Sequence, residues 1–301
     1  MEIRVLRYFL TVVREENVTR AAEILHITQP TLSRQIAQME EEMGVRLFDR
    51  STRRMTLTQE GVLLRRRAEE ILTLVDKTEK ELTEQQEKIE GIVSIGCGDL
   101  AAVQRLAGLL EEFHQYYPRV SFDLYTATAD HIKDRMDHGL ADAGLLLEPV
   151  SVERYEYVRM PRQEQWVAVM HPESPLASLP FVTPADLREV PLILPHRGDV
   201  RNELASWFGE EFDHLHVLFT ANLPSNSAVM VQHRLACLIS VLGSTSFWDQ
   251  KKITWRPLSP QLQTGCVLAW KRNQPFSSAA KTFLQFARQR LRKEQTTETP
   301  V

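Results

Sequence analysis

From Val18 onward, apolar residues fall at Val18, Ala21, Ala22 and Leu25, the i, i+3, i+4, i+7 spacing of one buried helical face. "HIT" (26–28) breaks the pattern as a tight turn. A second stripe then runs through Leu32, Ile36, Met39 and Met43. Thr28 is placed to cap this second helix, Pro30 falls in its first turn, where a missing N–H costs nothing, and Gly44 is placed to end it. After Thr58, Leu64, Ala68, Ile71, Val75, Leu82 and Ile89 recur in steps of three and four, with Thr78 and Gln85 filling the seam. That is a heptad pattern and predicts one helix over 58–90. At about 30 residues and roughly 1.5 Å each, it would be on the order of 45–50 Å long. From Gly91, short β-branched runs such as "IVSIGCG", "VSFDLYT", "PLILP" and "CVLAW" alternate with amphipathic segments. This alternation predicts βαβ units and an α/β domain.

Composition excludes more than it suggests. With 301 residues, 43% hydrophobic and 25% charged, the chain has room for more than one core. The net charge of −4 does not announce a nucleic-acid partner, but a local basic cluster suffices for one. Arg46, Arg50, Arg53 and Arg54 form such a cluster in a stretch, 1–57, that has no lysine. Cys97, Cys237 and Cys266 show no CxxC spacing, which argues against a disulfide scaffold and a zinc site. The charged N-terminus and the lack of a run of about 18 apolar residues argue against a leader and a membrane span. A cytoplasmic protein with no membrane partner is expected.

On a helix advancing about 100° per residue with Leu32 at the core, Pro30, Arg34, Ala37 and Gln38 point outward and Thr31 and Ser33 flank them. Two short helices joined by a tight turn, the second with a small, hydrogen-bonding outer face, describe a helix-turn-helix that can enter a DNA major groove. No carboxylate interrupts that face before Glu40, whereas an ordinary solvated face mixes signs. The following "RLFDRSTRRMTLT" reads as two short strands around a basic turn. This is the pattern of a wing, with Arg50, Arg53 and Arg54 able to reach phosphate or the minor groove.

The segments "RAAEILHITQPTLSRQI", "MEEEMG", "RLFDR" and "LTQEG" resemble, at matching spacing, the N-terminal winged helix-turn-helix of LysR-type transcriptional regulators, over roughly the first 66 residues. The resemblance implies that Gln29, Pro30, Thr31, Ser33 and Arg34 approach bases and that Arg50 and Arg53 sit on phosphate. It also implies dimerisation of the 58–90 helix, through Leu64, Ala68, Ile71, Val75 and Leu82. A tetramer is implied through the sensor domains, and RNA polymerase is a further candidate partner. The expected fold is a multidomain α/β protein. It comprises a winged helix-turn-helix (1–57), a linker helix (58–90), a two-lobed periplasmic-binding-protein-like sensor (91–293) and a polar tail (294–301).

Within the sensor, lobe I is expected over about 91–162 and 266–293 and lobe II over about 163–265, with crossings near 162–165 and 263–266. Ligands in open α/β sheets bind at strand C-terminal ends, often against helix N-termini. That rule selects Gly98, Asp99 and Leu100 and the stretch 126–129, with Thr126 and Thr128, from lobe I, and His196, Arg197, Asp199 and the stretch 222–227, with Asn226 and Ser227, from lobe II. The resemblance implies a small-molecule effector, often an organic acid, and no cofactor. Asp99 either caps the helix after it or favours a cationic or polyhydroxyl ligand. Arg234 and Ala236 stand where the family carries glycines. Two other readings are an architectural DNA-binding protein without a ligand and an α/β enzyme with a fused DNA-binding head. The chain lacks GxSxG, GxGxxG and HExxH motifs, so no catalytic residue is expected. Cys97, near a helix N-terminus, is a candidate low-pKa thiol against the plainer reading of a small buried strand residue.

Overall fold

The computed structural model describes residues 2–49, 55–83 and 89–297, with the side chains of 80–83, 247 and 296–297 outside the described set. The chain divides into two compact units, 1–84 and 85–301.

In the first unit, α1 (Ile3–Glu15), α2 (Val18–Ile24) and α3 (Gln29–Met43) enclose a core. Phe9 and Val12 of α1, Ala21 and Ala22 of α2, and Leu32 and Ile36 of α3 are buried there. Each large apolar side chain so buried contributes about 1.5–3 kcal/mol. Asn17, which the apolar pattern passes over, caps α2 by accepting the N–H groups of Thr19 and Arg20 at 2.9 and 3.1 Å. Thr28 occupies the cap position of α3, but its hydroxyl shares a 2.8 Å hydrogen bond with the Thr31 hydroxyl and bonds no backbone N–H. Pro30 has removed one of the N–H groups a cap would serve. Gly44 ends α3 in the left-handed region, at φ +68°.

Glu40 turns away from the outer face, and its carboxylate accepts the N–H groups of Leu47 and Phe48 at 2.8 and 3.3 Å. It thereby fixes the entry to β1 (Phe48–Asp49), which pairs antiparallel with β2 (Thr56–Leu57). α4 (Gln59–Thr83) follows. Thr58 joins these parts: its hydroxyl donates to the Arg46 carbonyl and accepts the Gly61 N–H. Gly61 is required there, because a Cβ would lie 2.1 Å from the Leu47 carbonyl oxygen. The expected helix over 58–90 is described only to Thr83, and Gln85 lies outside the described residues. Ile89 belongs to the second unit, packed on its core, so its place in the heptad seam is corrected.

The second unit carries two sheets. β3 (Gly91–Cys97), β4 (Val120–Thr126), β5 (Ala143–Leu147) and β6 (Tyr155–Arg159) build the first with a late strand, β13 (Cys266–Lys271). Their order is β4-β3-β5-β13-β6, with β3 parallel to β4 and β5 and with β13 antiparallel to β5 and β6. α5 (Ala102–Tyr116), α6 (Ala129–Asp137) and α9 (Ser278–Thr297) belong to this part. β7 (Glu164–Met170), β8 (Leu192–Pro195), β9 (Val217–Ala221), β10 (Cys237–Val241) and β11 (Thr254–Pro257) form the second sheet in the order β11-β7-β10-β8-β9. β12 (Gln263–Thr264) pairs with the start of β7. α7 (Gly198–Phe208) and α8 (Ser227–Gln232) accompany this sheet. The chain leaves the first sheet between β6 and β7 and returns between β12 and β13. Arg234 adopts φ +61°, the left-handed conformation in which a glycine would be unstrained.

Candidate DNA-reading face and ligand cleft

On α3 the buried stripe leaves Gln29, Pro30, Arg34 and Gln38 exposed, with Thr31 and Ser33 half-buried beside them. Gln29 donates to the Ser33 hydroxyl at 2.9 Å, and Gln38 donates to Glu42 at 3.2 Å. Gln38 therefore shares its end of the face with a carboxylate, whereas no such pair holds Gln29 and Ser33. Arg50, Arg53 and Arg54 lie outside the described residues. The run Arg65–Arg67 is spent on its own helix: Arg65 pairs with Glu69, and Arg66 and Arg67 both pair with Glu70.

α4 shows two apolar faces where the heptad pattern suggests one. Ala68 has no exposure and Leu64 packs on the same core, so these two seam positions face their own unit and are withdrawn from dimerisation. Packing against α1 covers them, as the Arg7–Asp76 pair at 2.6 Å also shows. The open face carries Leu63, Ile71 and Leu74, with Val75 half-buried at its edge. The side chain of Leu82 lies outside the described set.

In the second unit a cavity of about 100 Å³ lies between the two sheets. Leu100, Leu145, Leu147, Trp166, Val200 and Val241 supply much of its apolar wall. Its polar groups include Asp99, Thr128, Arg197, Asn222 and Ser240. Of the residues selected by the strand-end rule, Gly98, Asp99, Leu100, Thr128 and Arg197 meet at this wall. Thr126 does not: it is exposed at the end of β4 and its hydroxyl bonds the Cys97 thiol. The His196 side chain is exposed away from the cavity, Asn226 is exposed, and Ser227 is buried in the first turn of α8. The loop before α8 sends Asn222, Leu223 and Pro224 to the wall in their place.

Two contacts tie the sheets together across the cleft. Ser225 donates to the Asp99 carboxylate. Arg197, only 8% exposed, donates to the Leu147 carbonyl at 3.0 Å and to the Pro149 carbonyl, with Asp130 and Asp199 at 3.6 and 3.5 Å. Asp99 does not cap α5. That task falls to Glu164, 2% exposed at the start of β7, which accepts the Ala102 N–H at 2.9 Å. Burial pushes the Glu164 carboxyl above the usual range, opposed by the surrounding backbone N–H groups. Gly243 permits this junction, because a Cβ there would stand 1.8 Å from the Ala101 nitrogen. Beside it, Trp166 donates to the Thr264 hydroxyl at 2.8 Å, and that hydroxyl donates to Glu203. Sequence patterning missed Glu164 and Trp166; the one visible signal was a charged residue opening an otherwise apolar strand.

Cys97 is the small buried strand residue of the plainer reading, at the end of β3. Burial, then the Asp99 charge, pushes the Cys97 thiol up; burial holds Cys237 at about 12 and raises Cys266 as well. The helix N-terminus that would lower Cys97 is already occupied by Glu164. Cys97 and Cys266 lie on β3 and β13 with β5 between. Two strand spacings of about 4.8 Å and an offset of two residues, since Cys97 lies level with Leu268, put them roughly 12 Å apart, too far for a disulfide.

A helix-turn-helix unit with an outward polar face, on a chain whose other unit folds two sheets around a cavity, defines a protein that binds DNA and a small molecule with separate parts. Residues 3–62 match the family described as "Bacterial regulatory helix-turn-helix protein, lysR family", and residues 86–292 match the "LysR substrate binding domain". The chain belongs to the LysR family of transcriptional regulators and is a ligand-responsive DNA-binding regulator of that type. It is 31% identical over 295 residues to the uncharacterized HTH-type transcriptional regulator YybE of Bacillus subtilis strain 168, covering 95% of this chain and 98% of that one. It is 26% identical over 298 residues to the Hca operon transcriptional activator HcaR of Escherichia coli K12, covering 97% and 98%. The crystal structure of CbnR, a LysR family transcriptional regulator, shares the fold with a TM-score of 0.75 at 21% identity, covering 97% and 99%. Among the described residues no helix is long and apolar enough to cross a membrane.

Proposed function

We propose that α3 reads operator bases through Gln29, Pro30, Thr31, Ser33 and Arg34, with Gln38 at the margin and Arg50, Arg53 and Arg54 on phosphate. The observation that carries this is the burial of Leu32, Ile36 and Met39, which leaves a face without a carboxylate from Gln29 to Arg34. The working parts are the reading head (1–57), the linker (58–90, helical over Gln59–Thr83) and the sensor (from 91, crossing between lobes near 162–165 and 263–266), which α9 carries to Thr297 with Glu294 paired to Arg105, past the start expected for the tail at 294. Two copies pair through the open face of α4, so that two heads read two half-sites. Pairing of sensor units extends the dimer to a tetramer, and RNA polymerase is the further partner. The effector enters the cavity beside Gly98, Asp99, Leu100, Thr128 and Arg197 and changes how the two sheets close on it. The protein acts by binding alone, in the cytoplasm; its one thiol near the cleft, Cys97, is held protonated by burial.

The test is a binding titration on the cognate operator and on random DNA. Ser33→Ala or Arg34→Ala should cost about 1–3 kcal/mol on the operator alone and relax base preference. Equal weakening on both DNAs would remove these residues from base reading.

A further inference from the structure

Three helices begin at the cavity: α5 just after Gly98, Asp99 and Leu100, α6 at Ala129 and α7 just after Arg197. A helix N-terminus is a ready site for an anion, because its first N–H groups lack partners and its dipole favours negative charge. Here the N-terminus of α5 is already capped by a carboxylate of the chain itself, and those of α6 and α7 each carry one in the first turn without a capping hydrogen bond. Buried Glu164 accepts the Ala102 N–H of α5, Asp130 stands in the first turn of α6, and Asp199 in the first turn of α7.

Among the described residues, Arg197 alone brings a guanidinium to the wall. It donates to two backbone carbonyls, and its buried Nε, without a hydrogen-bond partner, faces Asp130 at 3.6 Å, with Asp199 at 3.5 Å from the same side chain. Lys133 stands 3.7 Å from Asp130, outside the cavity wall. Asp99 differs: its only described side-chain partner is Ser225, and a carboxylate accepts at about four positions. An incoming acid would meet Asp99, which no described cation faces, and an Arg197 whose charge Asp130 and Asp199 already face. An incoming ammonium would meet a free acceptor at the edge of an apolar wall.

We propose that the effector is a small apolar molecule carrying a cationic nitrogen, with the nitrogen on Asp99 and the hydrocarbon against Leu100, Leu145, Leu147 and Trp166. This rests on the reading that the cleft is the effector site, and it departs from the organic acids that the family resemblance suggests. A cavity of about 100 Å³ lies below the roughly 150 Å³ that admits the six carbons of benzene, so it suits a hydrocarbon body of up to about five heavy atoms with the nitrogen at its edge.

The experiment uses three near-isosteric probes, 3-methylbutan-1-amine, 3-methylbutan-1-ol and 3-methylbutanoate. Each is titrated by calorimetry and thermal shift into the full chain up to about 10 mM, the range open to a ligand of this size. The amine is expected to bind at least ~10-fold more tightly than the acid. Asp99→Asn, which keeps an acceptor for Ser225, is expected to abolish that preference while leaving the alcohol unchanged. Tighter binding of the acid, or no binding of any probe, overturns the proposal. Leu223→Trp, on the cavity loop, separates the two levels of the claim. If it leaves all probe binding intact, the cleft is not the site and both readings fall. If it blocks an acid that binds, the cleft reading stands and the cationic ligand falls.

Discussion

Gly61 and Glu164 act through close approaches that exclude alternatives. Gly61→Ala would drive a methyl into the Leu47 carbonyl and should destabilise the first unit by about 1–3 kcal/mol, read as a lowered midpoint in urea. An unchanged midpoint would show that the β1 entry yields freely. Glu164 is a raised carboxyl, so the sign of its pH dependence follows from burial. The folded state disfavours the ionised form, and stability is lost as pH rises from the ordinary carboxylate range through the folded value. Glu164→Gln removes that titration and keeps an acceptor for Ala102. Its melting temperature relative to the parent should therefore climb between acid and neutral pH, and a constant difference would contradict the assignment. Thr28, Pro30 and Gly44 were legible because helix ends are governed by neighbouring residues. Glu164 was not, because its partner Ala102 lies 62 residues away, and only the folded junction brings them together.

At the level of elements, α4 shows how an apolar spacing can be read correctly and assigned to the wrong partner. The heptad seam joined Leu64 and Ala68, which α1 covers, to Ile71 and Val75 near the open face. Sequence spacing reports that a face must be covered but does not say by what. The face left for a second copy carries Leu63, Ile71 and Leu74, at 60%, 37% and 43% exposure. Ile71→Asp with Leu74→Asp should yield monomers by light scattering, with operator affinity lost and the first unit still folded. Dimers that persist through these changes would place the interface elsewhere. The central strands β3 and β5 read as apolar runs because they are largely buried, whereas β4, at the sheet edge and mostly exposed, was signalled by its β-branched and aromatic residues. The order in which β13 returns between β5 and β6 depends on long-range pairing that no local pattern encodes.

Across the sensor unit, closure is a small number of contacts between two sheets. The Asp99–Ser225 hydrogen bond and the hold of Arg197 on Leu147 and Pro149 both bridge the cleft. The strand-end rule located the lobe I part of this site well, since Gly98 to Leu100 directly follow β3. In lobe II it selected the loop 222–227, of which Asn222, Leu223 and Pro224 line the cavity while Asn226 and Ser227 do not. The central claim is that the state of this cleft sets how the reading heads meet DNA. The most direct measurement is footprinting of the full chain carrying Asp99→Cys and Ser225→Cys on its operator, reduced and then oxidised, with the crosslink verified by mass. The account predicts that locking the cleft changes the length or the bending pattern of the footprint and that reduction restores it. Superimposable footprints from a fully crosslinked and a reduced protein would contradict it.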